Sequence, residues 1–219
     1  MIQACAGVFA SPKPNRWSNE YLPGPASLPL SNRIPPGVKR PHGQKRIESP
    51  RTAAHRPAMH MRVIATGGTI DKVYFDAAST YDVGDPQVGP LFKEANVTFD
   101  YTVESVVQKD SLQMTDADRV LIRERVAAAP ERLILITHGT DTMTETAAQL
   151  EGLPDKVIVF TGSMVPARFR SSDALFNIGC AVGALQVLAP GIYIAMNGQI
   201  HPAASVRKNR AQSRFEPKA

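Results

Sequence analysis

The sequence is poor in cysteine and has no long apolar run. Its two cysteines, Cys5 and Cys180, lie far apart in a chain of 219 residues, so a framework of disulfide bonds is not expected. No apolar run approaches the roughly 20 residues of a membrane span, or a signal-peptide core. Histidine and cysteine nowhere show the spacing of zinc ligands. We therefore expect a cytoplasmic protein that needs no metal ion and does not contact a membrane.

Positive charge and proline are concentrated at the start of the chain. Residues 1–58 contain nine Lys/Arg, two Glu and ten of the eighteen prolines, for a net charge of +7. The remainder has sixteen basic and eighteen acidic residues, for a net charge of −2. We predict that 1–58 is a disordered leader and that 59–219 is the folded domain. A translation start at Met59 or Met61, which would leave the leader untranslated, is an alternative. The acidic balance of the folded part argues against a nucleic-acid partner.

Apolar, β-branched segments alternate with amphipathic ones from residue 62 onwards. Strands are predicted at 62–66, 101–107, 133–137, 157–161 and 191–196, and helices at 115–129, 142–150 and 171–188. The helix at 115–129 begins with Thr-Asp-Ala-Asp, a start that resembles a capping box. Several strands are apolar throughout, as expected when both faces of a parallel sheet are covered. The pattern predicts an α/β domain with a mainly parallel sheet.

Three of the predicted strands run directly into segments rich in glycine and hydroxyl residues. These segments are 66–69 (TGGT), 137–142 (THGTDT) and 161–164 (TGSM). In open parallel sheets, ligands bind beyond the carboxyl ends of the strands, where all three segments are expected to lie. Their convergence on one edge predicts a ligand site.

Neither of the common nucleotide-binding glycine patterns occurs in the chain. TGGTI lacks the G-x-G-x-x-G spacing, and no G-x-x-x-x-G-K-[ST] is present. The residues from 70 to 90 contain four aspartates, a glycine before Asp85 and a proline after it, which indicates a flexible, acidic loop. Because such a loop would repel a phosphate, no nucleotide cofactor is expected.

The ordered set of motifs resembles the bacterial-type L-asparaginase family. It consists of TGGTI at 66–70, HGTDT at 138–142 and TGSMVP at 161–166. Residues 79–84 resemble the segment with the lid tyrosine, 110–115 the substrate-carboxylate loop, and 205–208 the loop with the catalytic lysine. The resemblance covers about residues 62–216. It implies the three-layer, Rossmann-like fold of the asparaginase N-terminal domain, and an amidohydrolase of amino-acid metabolism that uses no cofactor.

The resemblance also implies the catalytic residues. Thr69 would be the nucleophile that forms a threonyl ester, and Tyr81, from the lid, would contact its hydroxyl. Thr140 and Lys208 would form a second hydroxyl–amine pair, with Asp141 nearby to hold the lysine or the substrate amine. A threonine hydroxyl is a weak nucleophile and needs a neighbouring base. Thr69 is favoured as the attacking residue, with Thr140 as the alternative.

The same resemblance implies how L-asparagine, or alternatively L-glutamine, is held. Asp141 would pair with the α-ammonium group, Ser111 would bind the α-carboxylate, and the backbone N–H of Thr140 would stabilise the oxyanion. The full set of implied substrate-binding residues is Gly68, Asp110, Ser111, Gly139, Thr140 and Asp141.

Each of these residues also has a structural interpretation. Ser111 would be an ordinary turn serine, Asp141 the N-cap of the next helix, Tyr81 a loop anchor, and Lys208 one solvated charge in a basic stretch.

Long asparaginases carry a second, C-terminal domain that has no counterpart in this sequence. We therefore expect a neighbouring subunit to complete the site, in a homo-oligomer that is a dimer or larger. Two other functions stay open. One is an amino-acid-binding module without turnover, and the other is a deamidating subunit of a tRNA-dependent amidotransferase.

Overall fold

A six-stranded sheet forms the centre of the domain in the computed structural model, which describes residues 59–75 and 80–218. The strands of this described part are β1 (His60–Gly67), β2 (Lys72–Phe75), β3 (Thr80–Val83), β4 (Asp100–Lys109), β5 (Leu133–Thr137), β6 (Val157–Thr161), β7 (Gly191–Met196), β8 (Gln199–Pro202), β9 (Val206–Asn209) and β10 (Arg214–Pro217). The sheet order is β4-β1-β5-β6-β7-β8, with the first five strands parallel and β8 antiparallel to β7. Two antiparallel hairpins, β2–β3 and β9–β10, lie outside this sheet. The prediction of an α/β domain with a mainly parallel sheet is confirmed.

Helices cover both faces of the sheet. They are α1 (Val88–Glu94), α2 (Asp116–Ala128), α3 (Met143–Gln149) and α4 (Ala174–Val187). One core cluster joins α2 and α3 to strand residues such as Ile64 and Ile136, and the other joins α1 and α4 to Val63 and Leu135. Because neighbouring residues of one strand point to opposite faces, each central strand contributes to both clusters. The result is the three-layer arrangement that the resemblance implied.

The predicted elements are present with small changes at their ends. Strands 133–137, 157–161 and 191–196 have the predicted bounds, while β1 and β4 are longer than predicted. Helix α2 begins with the predicted capping box. The Thr115 hydroxyl accepts from the Asp118 N–H at 3.3 Å, and the Asp118 carboxylate accepts from the Thr115 N–H at 2.8 Å. No helix in the described ranges is both long and apolar enough to cross a bilayer.

The prediction of a flexible acidic loop at 70–90 is wrong for most of that segment. Residues Thr69–Asp71 form a 3-10 turn, β2 and β3 pair as a hairpin, and α1 begins at Val88. Val88, Leu91 and Phe92 are buried, and their spacing of three and four residues is helical. The aspartates obscured this short amphipathic pattern. Strands β8, β9 and β10 were also not predicted, and the proposed leader at 1–58 lies outside the described residues.

The capping box gives a test of local stability. Thr115→Ala is expected to lower the free energy of unfolding by about 1 kcal/mol, because the N-terminal N–H groups of α2 lose a side-chain acceptor. Chemical denaturation at pH 7 measures this change. Thr98→Ala, which removes an exposed threonine before β4, is the matched control and is expected to have little effect. Equal losses in the two variants would contradict a stabilising cap.

Candidate active site

Three loops meet at the carboxyl ends of β1, β4 and β5 with almost no space between their backbones. A Cβ atom added to Gly68 would lie 2.4 Å from the Cα and N atoms of Gly139. One added to Gly139 would lie 2.6 Å from Cβ and Oγ of Ser111. Gly68 also has a φ of +87°, a conformation that strains any residue with a side chain. Thr69 and Thr140, which each follow one of these glycines, are thereby held on neighbouring loops.

A lysine from the β9–β10 hairpin reaches the second of these threonines. The Lys208 Nζ donates to Thr140 Oγ1 at 2.6 Å and to Asp141 Oδ1 at 2.9 Å. Thr140 is buried, and the Lys208 side chain is only 13% exposed. Val206 and Phe215 anchor the hairpin in the core. The structure therefore brings Thr140, Asp141 and Lys208 together, and Lys208 is not a solvated charge.

The alternative role of Asp141 as a helix cap is also excluded by the geometry. Thr142 is the N-cap residue of α3, and the Asp141 carboxylate is used by cations instead. One of these cations, Arg210, was not predicted: its Nε donates to Asp141 Oδ1 at 3.3 Å. No motif contains this arginine, so only the fold of the hairpin reveals it.

Asp110 and Ser111 form the wall contributed by the end of β4. The Asp110 carboxylate accepts from the Leu112 N–H at 3.1 Å and caps the 3-10 turn Ser111–Gln113. It also forms an ion pair of 2.7 Å with Lys72 of β2, which joins the β2–β3 hairpin to this wall. Burial by itself would raise the pKa of Asp110, but these hydrogen bonds and the charges of Lys72 and Lys208 lower it. Ser111 is buried, and its carbonyl accepts from the Thr142 hydroxyl at 2.9 Å.

No hydrogen bond joins Thr69 and Tyr81 in this structure. Thr69 is half-buried at the start of the 3-10 turn, and its hydroxyl forms no hydrogen bond with the rest of the described chain. Tyr81 lies on β3 with about half its surface exposed. Its ring packs beside Tyr74, with centroids 5.2 Å apart, and Phe169, with centroids 6.1 Å apart. The hydroxyl contact that the resemblance implied between Tyr81 and Thr69 is therefore not made as a hydrogen bond in this conformation.

A buried histidine fixes the loop after β5. His138 Nδ1 lies 2.7 Å from the Gly139 carbonyl oxygen, and Nε2 lies 2.8 Å from Thr146 Oγ1. A carbonyl can only accept, so Nδ1 carries the proton and Nε2 accepts from the Thr146 hydroxyl. Burial lowers the pKa of His138 to about 4, although the bond to the Gly139 carbonyl opposes the shift. A neutral imidazole thus holds the loop that presents Thr140.

A buried aspartate has a similar position below Thr69. Asp71 ends the 3-10 turn, is 1% exposed, and accepts from the Gln87 N–H at 2.8 Å. Burial raises the pKa of Asp71 to about 7, against the opposing effect of that hydrogen bond. Gln87 in turn accepts from Arg168 Nε at 3.0 Å, which links this turn to the loop after β6. No local pattern of the sequence distinguishes Asp71 from the other three aspartates between residues 70 and 90.

The family model for the N-terminal domain of asparaginase matches residues 60–216. The chain belongs to the asparaginase family. It is 32% identical over 160 residues to the glutaminase-asparaginase of Pseudomonas fluorescens, covering 67% of this chain and 44% of that protein. It is also 28% identical to a subunit of the glutamyl-tRNA(Gln) amidotransferase of Thermoplasma volcanium, covering 69% and 39% of the two chains.

Solved structures of this family have the same fold. The thermostable L-asparaginase of Thermococcus kodakarensis superposes with a TM-score of 0.63 at 27% identity, covering 73% of this chain and 51% of that one. The present chain spans less than half the length of these curated relatives. In the described part of this asparaginase-family chain, no three His, Cys, Asp or Glu side chains are grouped as metal ligands.

The pKa shifts of Asp71 and His138 have opposite effects on how stability depends on pH. The pKa of Asp71 is raised from 3.8 to about 7, so its contribution to stability is full below pH 3.8 and is lost as the pH rises through 7. The pKa of His138 is lowered from 6.5 to about 4, so its contribution is full above pH 6.5 and is lost as the pH falls through 4.

The free energy of unfolding of Asp71→Asn, relative to that of the wild type, should therefore increase as the pH rises from 4 to 8, by about 2–4 kcal/mol in total. Because both proteins contain His138, its effect cancels when their free energies of unfolding are subtracted. Urea denaturation at several pH values measures this difference. Asp82→Asn, which removes an exposed carboxylate from β3, is the control and should follow the wild type. A difference between Asp71→Asn and wild type that does not vary with pH would refute the assignment.

Proposed function

We propose that this asparaginase-family chain hydrolyses the side-chain amide of L-asparagine to L-aspartate and ammonia through a threonyl ester, with L-glutamine as the second substrate to test. The observation that carries the proposal is the short contact between Lys208 Nζ and Thr140 Oγ1, next to the Asp141 carboxylate. A hydroxyl, an amine and a carboxylate in direct contact form the type of unit that transfers protons in acyl transfer.

The reaction has two halves in this proposal. In the first, Thr69 Oγ1 attacks the carboxamide carbon and its hydroxyl proton passes to the amide nitrogen. The C–N bond then breaks, and that nitrogen leaves as ammonia. In the second, water attacks the ester, the acid is released and the Thr69 hydroxyl is restored. Thr140 and Lys208 would move the proton of the attacking water. The backbone N–H of Thr140 would donate to the oxyanion of both tetrahedral intermediates.

The substrate would lie between the carboxylate of Asp141 and the wall at Ser111. Asp141 Oδ1 is used by Lys208 and Arg210, and Oδ2 has no hydrogen-bond partner among the described residues, which leaves it for an α-ammonium group. The α-carboxylate would meet Ser111 and the N–H groups near Gly68 and Gly139. Asp110 would act indirectly, because its carboxylate is used by Lys72 and by the turn that orients Ser111.

The alternatives make different predictions for one assay. An amino-acid-binding module would bind L-asparagine and release no ammonia. A deamidating subunit of a tRNA-dependent amidotransferase would release ammonia only with a glutamyl-tRNA substrate. Ammonia release from L-asparagine by the chain alone, above the buffer control, supports the proposed hydrolysis and excludes both alternatives.

Removal of either threonine hydroxyl should abolish most turnover. Thr69→Ala and Thr140→Ala are each expected to lower the kcat of ammonia release by about 10²–10⁴, because the two hydroxyls serve successive steps of one reaction. Circular dichroism should show an unchanged fold. Thr144→Ala, which alters a half-buried threonine on α3, is the matched control and should retain wild-type kcat. If Thr69→Ala keeps half of the activity, Thr140 becomes the nucleophile.

We also propose that the active form is a homo-oligomer. Tyr74, Tyr81 and Phe169 form an apolar surface on the lid side, with each side chain close to half exposed. A second copy on that surface would shield the site from water, which competes for the hydrogen bonds of the transition state. Specific activity should fall on dilution together with the mass measured by light scattering. A monomer with full activity at every concentration would exclude this assembly.

A further inference from the structure

The hydroxyl of Thr140 has two neighbours that come from different segments of the chain. Lys208 Nζ, on the β9–β10 hairpin, donates to its oxygen at 2.6 Å. The hydroxyl itself donates to Met164 Sδ, 3.8 Å away in the loop after β6. The hairpin is a two-stranded sheet outside the central sheet, and a hairpin by itself is only marginally stable. The position of Lys208 therefore depends on what joins this hairpin to the rest of the domain.

Apolar packing alone does not fix the orientation of the β9–β10 hairpin. Val206 and Phe215 are buried in the core, but apolar contacts have no preferred direction. In the described part of the chain, the strands β9 and β10 make one hydrogen bond to a segment outside the hairpin besides those of Lys208. It runs from the Phe215 N–H to Asn197 Oδ1 at 3.2 Å. Phe215 lies opposite Lys208 in the hairpin, so this bond holds the hairpin at the position of the lysine.

The hydrogen bonds continue from Asn197 into the interior of the domain. The Asn197 N–H donates to Asn177 Oδ1 at 3.2 Å. Asn177, on α4, is 1% exposed, and its Nδ2 donates to the Gly162 carbonyl oxygen at 3.1 Å and to Asp173 Oδ2 at 2.8 Å. The Asp173 carboxylate in turn accepts from backbone N–H groups of the loop after β6. A continuous series of hydrogen bonds therefore joins the loop after β6 to the β9–β10 hairpin.

The side chain of Asn197 is not needed for the turn in which it lies. Asn197 and Gly198 join β7 to β8 with φ values of +55° and +75°, as in a type I′ turn. Asparagine, aspartate and glycine all suit this backbone conformation. Only the bond to Phe215 requires a side-chain oxygen at position 197. Substitutions at this position can therefore keep the turn and either keep or remove the acceptor.

We propose that Asn177 and Asn197, here called the asparagine relay, are positioning residues that hold Lys208 against Thr140. This inference rests on the proposed function, in which Lys208 and Thr140 move the proton of the water that attacks the threonyl ester. The relay acts on the second half of that reaction only. Neither asparagine forms a hydrogen bond with Thr69, Thr140 or Lys208.

The rate of the second half depends on the distance between Lys208 Nζ and Thr140 Oγ1. A contact of 2.6 Å is a direct hydrogen bond, and a misplacement of about 1 Å at a reacting group commonly costs about 100-fold in rate. Loss of one bond of the relay leaves Val206 and Phe215 in the core, so a partial loss is expected. Asn177 is buried and its removal would disturb α4, whereas Asn197 is exposed and suits substitution.

The kinetic test uses Asn197→Gly, which keeps the turn and removes the acceptor. Ammonia leaves in the first half of the reaction, so slowing the second half makes the threonyl ester accumulate. The kcat for L-asparagine should fall about fivefold or more, while kcat/KM stays within about twofold of wild type. Rapid mixing should show a larger initial burst of ammonia than in the wild type, approaching about one per site. Loss of folded protein alone would lower kcat and kcat/KM together and give no burst.

Two matched variants control for the substitution itself. Asn197→Asp keeps both the turn and an oxygen acceptor for the Phe215 N–H, so it should restore kinetics close to wild type. Asn96→Gly makes the same change at another exposed asparagine, with a φ of +49° and no side-chain hydrogen bond in the described chain, and should behave as wild type. Wild-type kcat in Asn197→Gly, or equal losses of kcat and kcat/KM in Asn197→Gly and Asn197→Asp, overturns the proposal.

A chemical measurement separates this inference from the proposed function, because it needs no turnover. Acetic anhydride acylates free amines, and peptide mass spectrometry gives the rate at each lysine. Lys208 is 13% exposed and bound to two acceptors, so it should react slowly in the wild type. Its rate relative to that of exposed Lys93 should rise about threefold or more in Asn197→Gly, and stay unchanged in Asn197→Asp.

The two possible failures are then distinguishable. A faster reaction of Lys208 in Asn197→Gly supports the relay even if the wild type releases no ammonia, in which case only the proposed hydrolysis fails. An equal rate in the wild type and Asn197→Gly overturns the inference, and ammonia release by the wild type would then leave the proposed function standing.

Discussion

The close backbone contact between Gly68, Gly139 and Ser111 is the constraint on which the rest of the site depends. The loops after β1, β5 and β4 approach one another so closely that a single methyl group at either glycine would collide with backbone or with Ser111. The strand ends are therefore held in one relative position. Thr69 and Thr140 do not need to be brought together by flexible side chains, because the loops that carry them are already packed. Ser111, in the turn that follows β4, completes this packed unit.

Two buried groups support these loops from below, and both are most stable there without charge. His138 binds the carbonyl of Gly139 and the hydroxyl of Thr146, while Asp71 binds the N–H of Gln87. Burial disfavours the charged form in both cases, so the pKa falls for the imidazole and rises for the carboxyl. Each group exchanges solvation for hydrogen bonds that define the geometry of one loop of the candidate site. Neither group forms a hydrogen bond with the hydroxyl of Thr69 or Thr140, so we expect both to act by positioning the loops.

The charged residues form a second level of organisation at the solvent side of the site. Lys72 connects the β2–β3 hairpin to Asp110, and Asp141 connects the loop after β5 to Lys208 and Arg210 of the β9–β10 hairpin. Ion pairs thus join segments that are distant in the chain and that do not share the central sheet. These partly exposed pairs contribute modestly to stability, and their main effect is on orientation and on the electrostatic field at the site.

The sequence by itself determined the central layer of this protein and the loops that form its candidate site. The strands at 133–137, 157–161 and 191–196 were predicted with correct bounds, because buried parallel strands have continuous apolar runs. The motifs at 66–70 and 138–142 followed from residue identity alone. Only the tertiary structure decided which side chains meet across long separations. Lys208 and Arg210 reach Asp141 because a hairpin anchored by Val206 and Phe215 returns to the sheet edge. No local sequence pattern predicts where this hairpin packs. The spacing of apolar residues indicates which face of an element is buried, but not which other element covers that face.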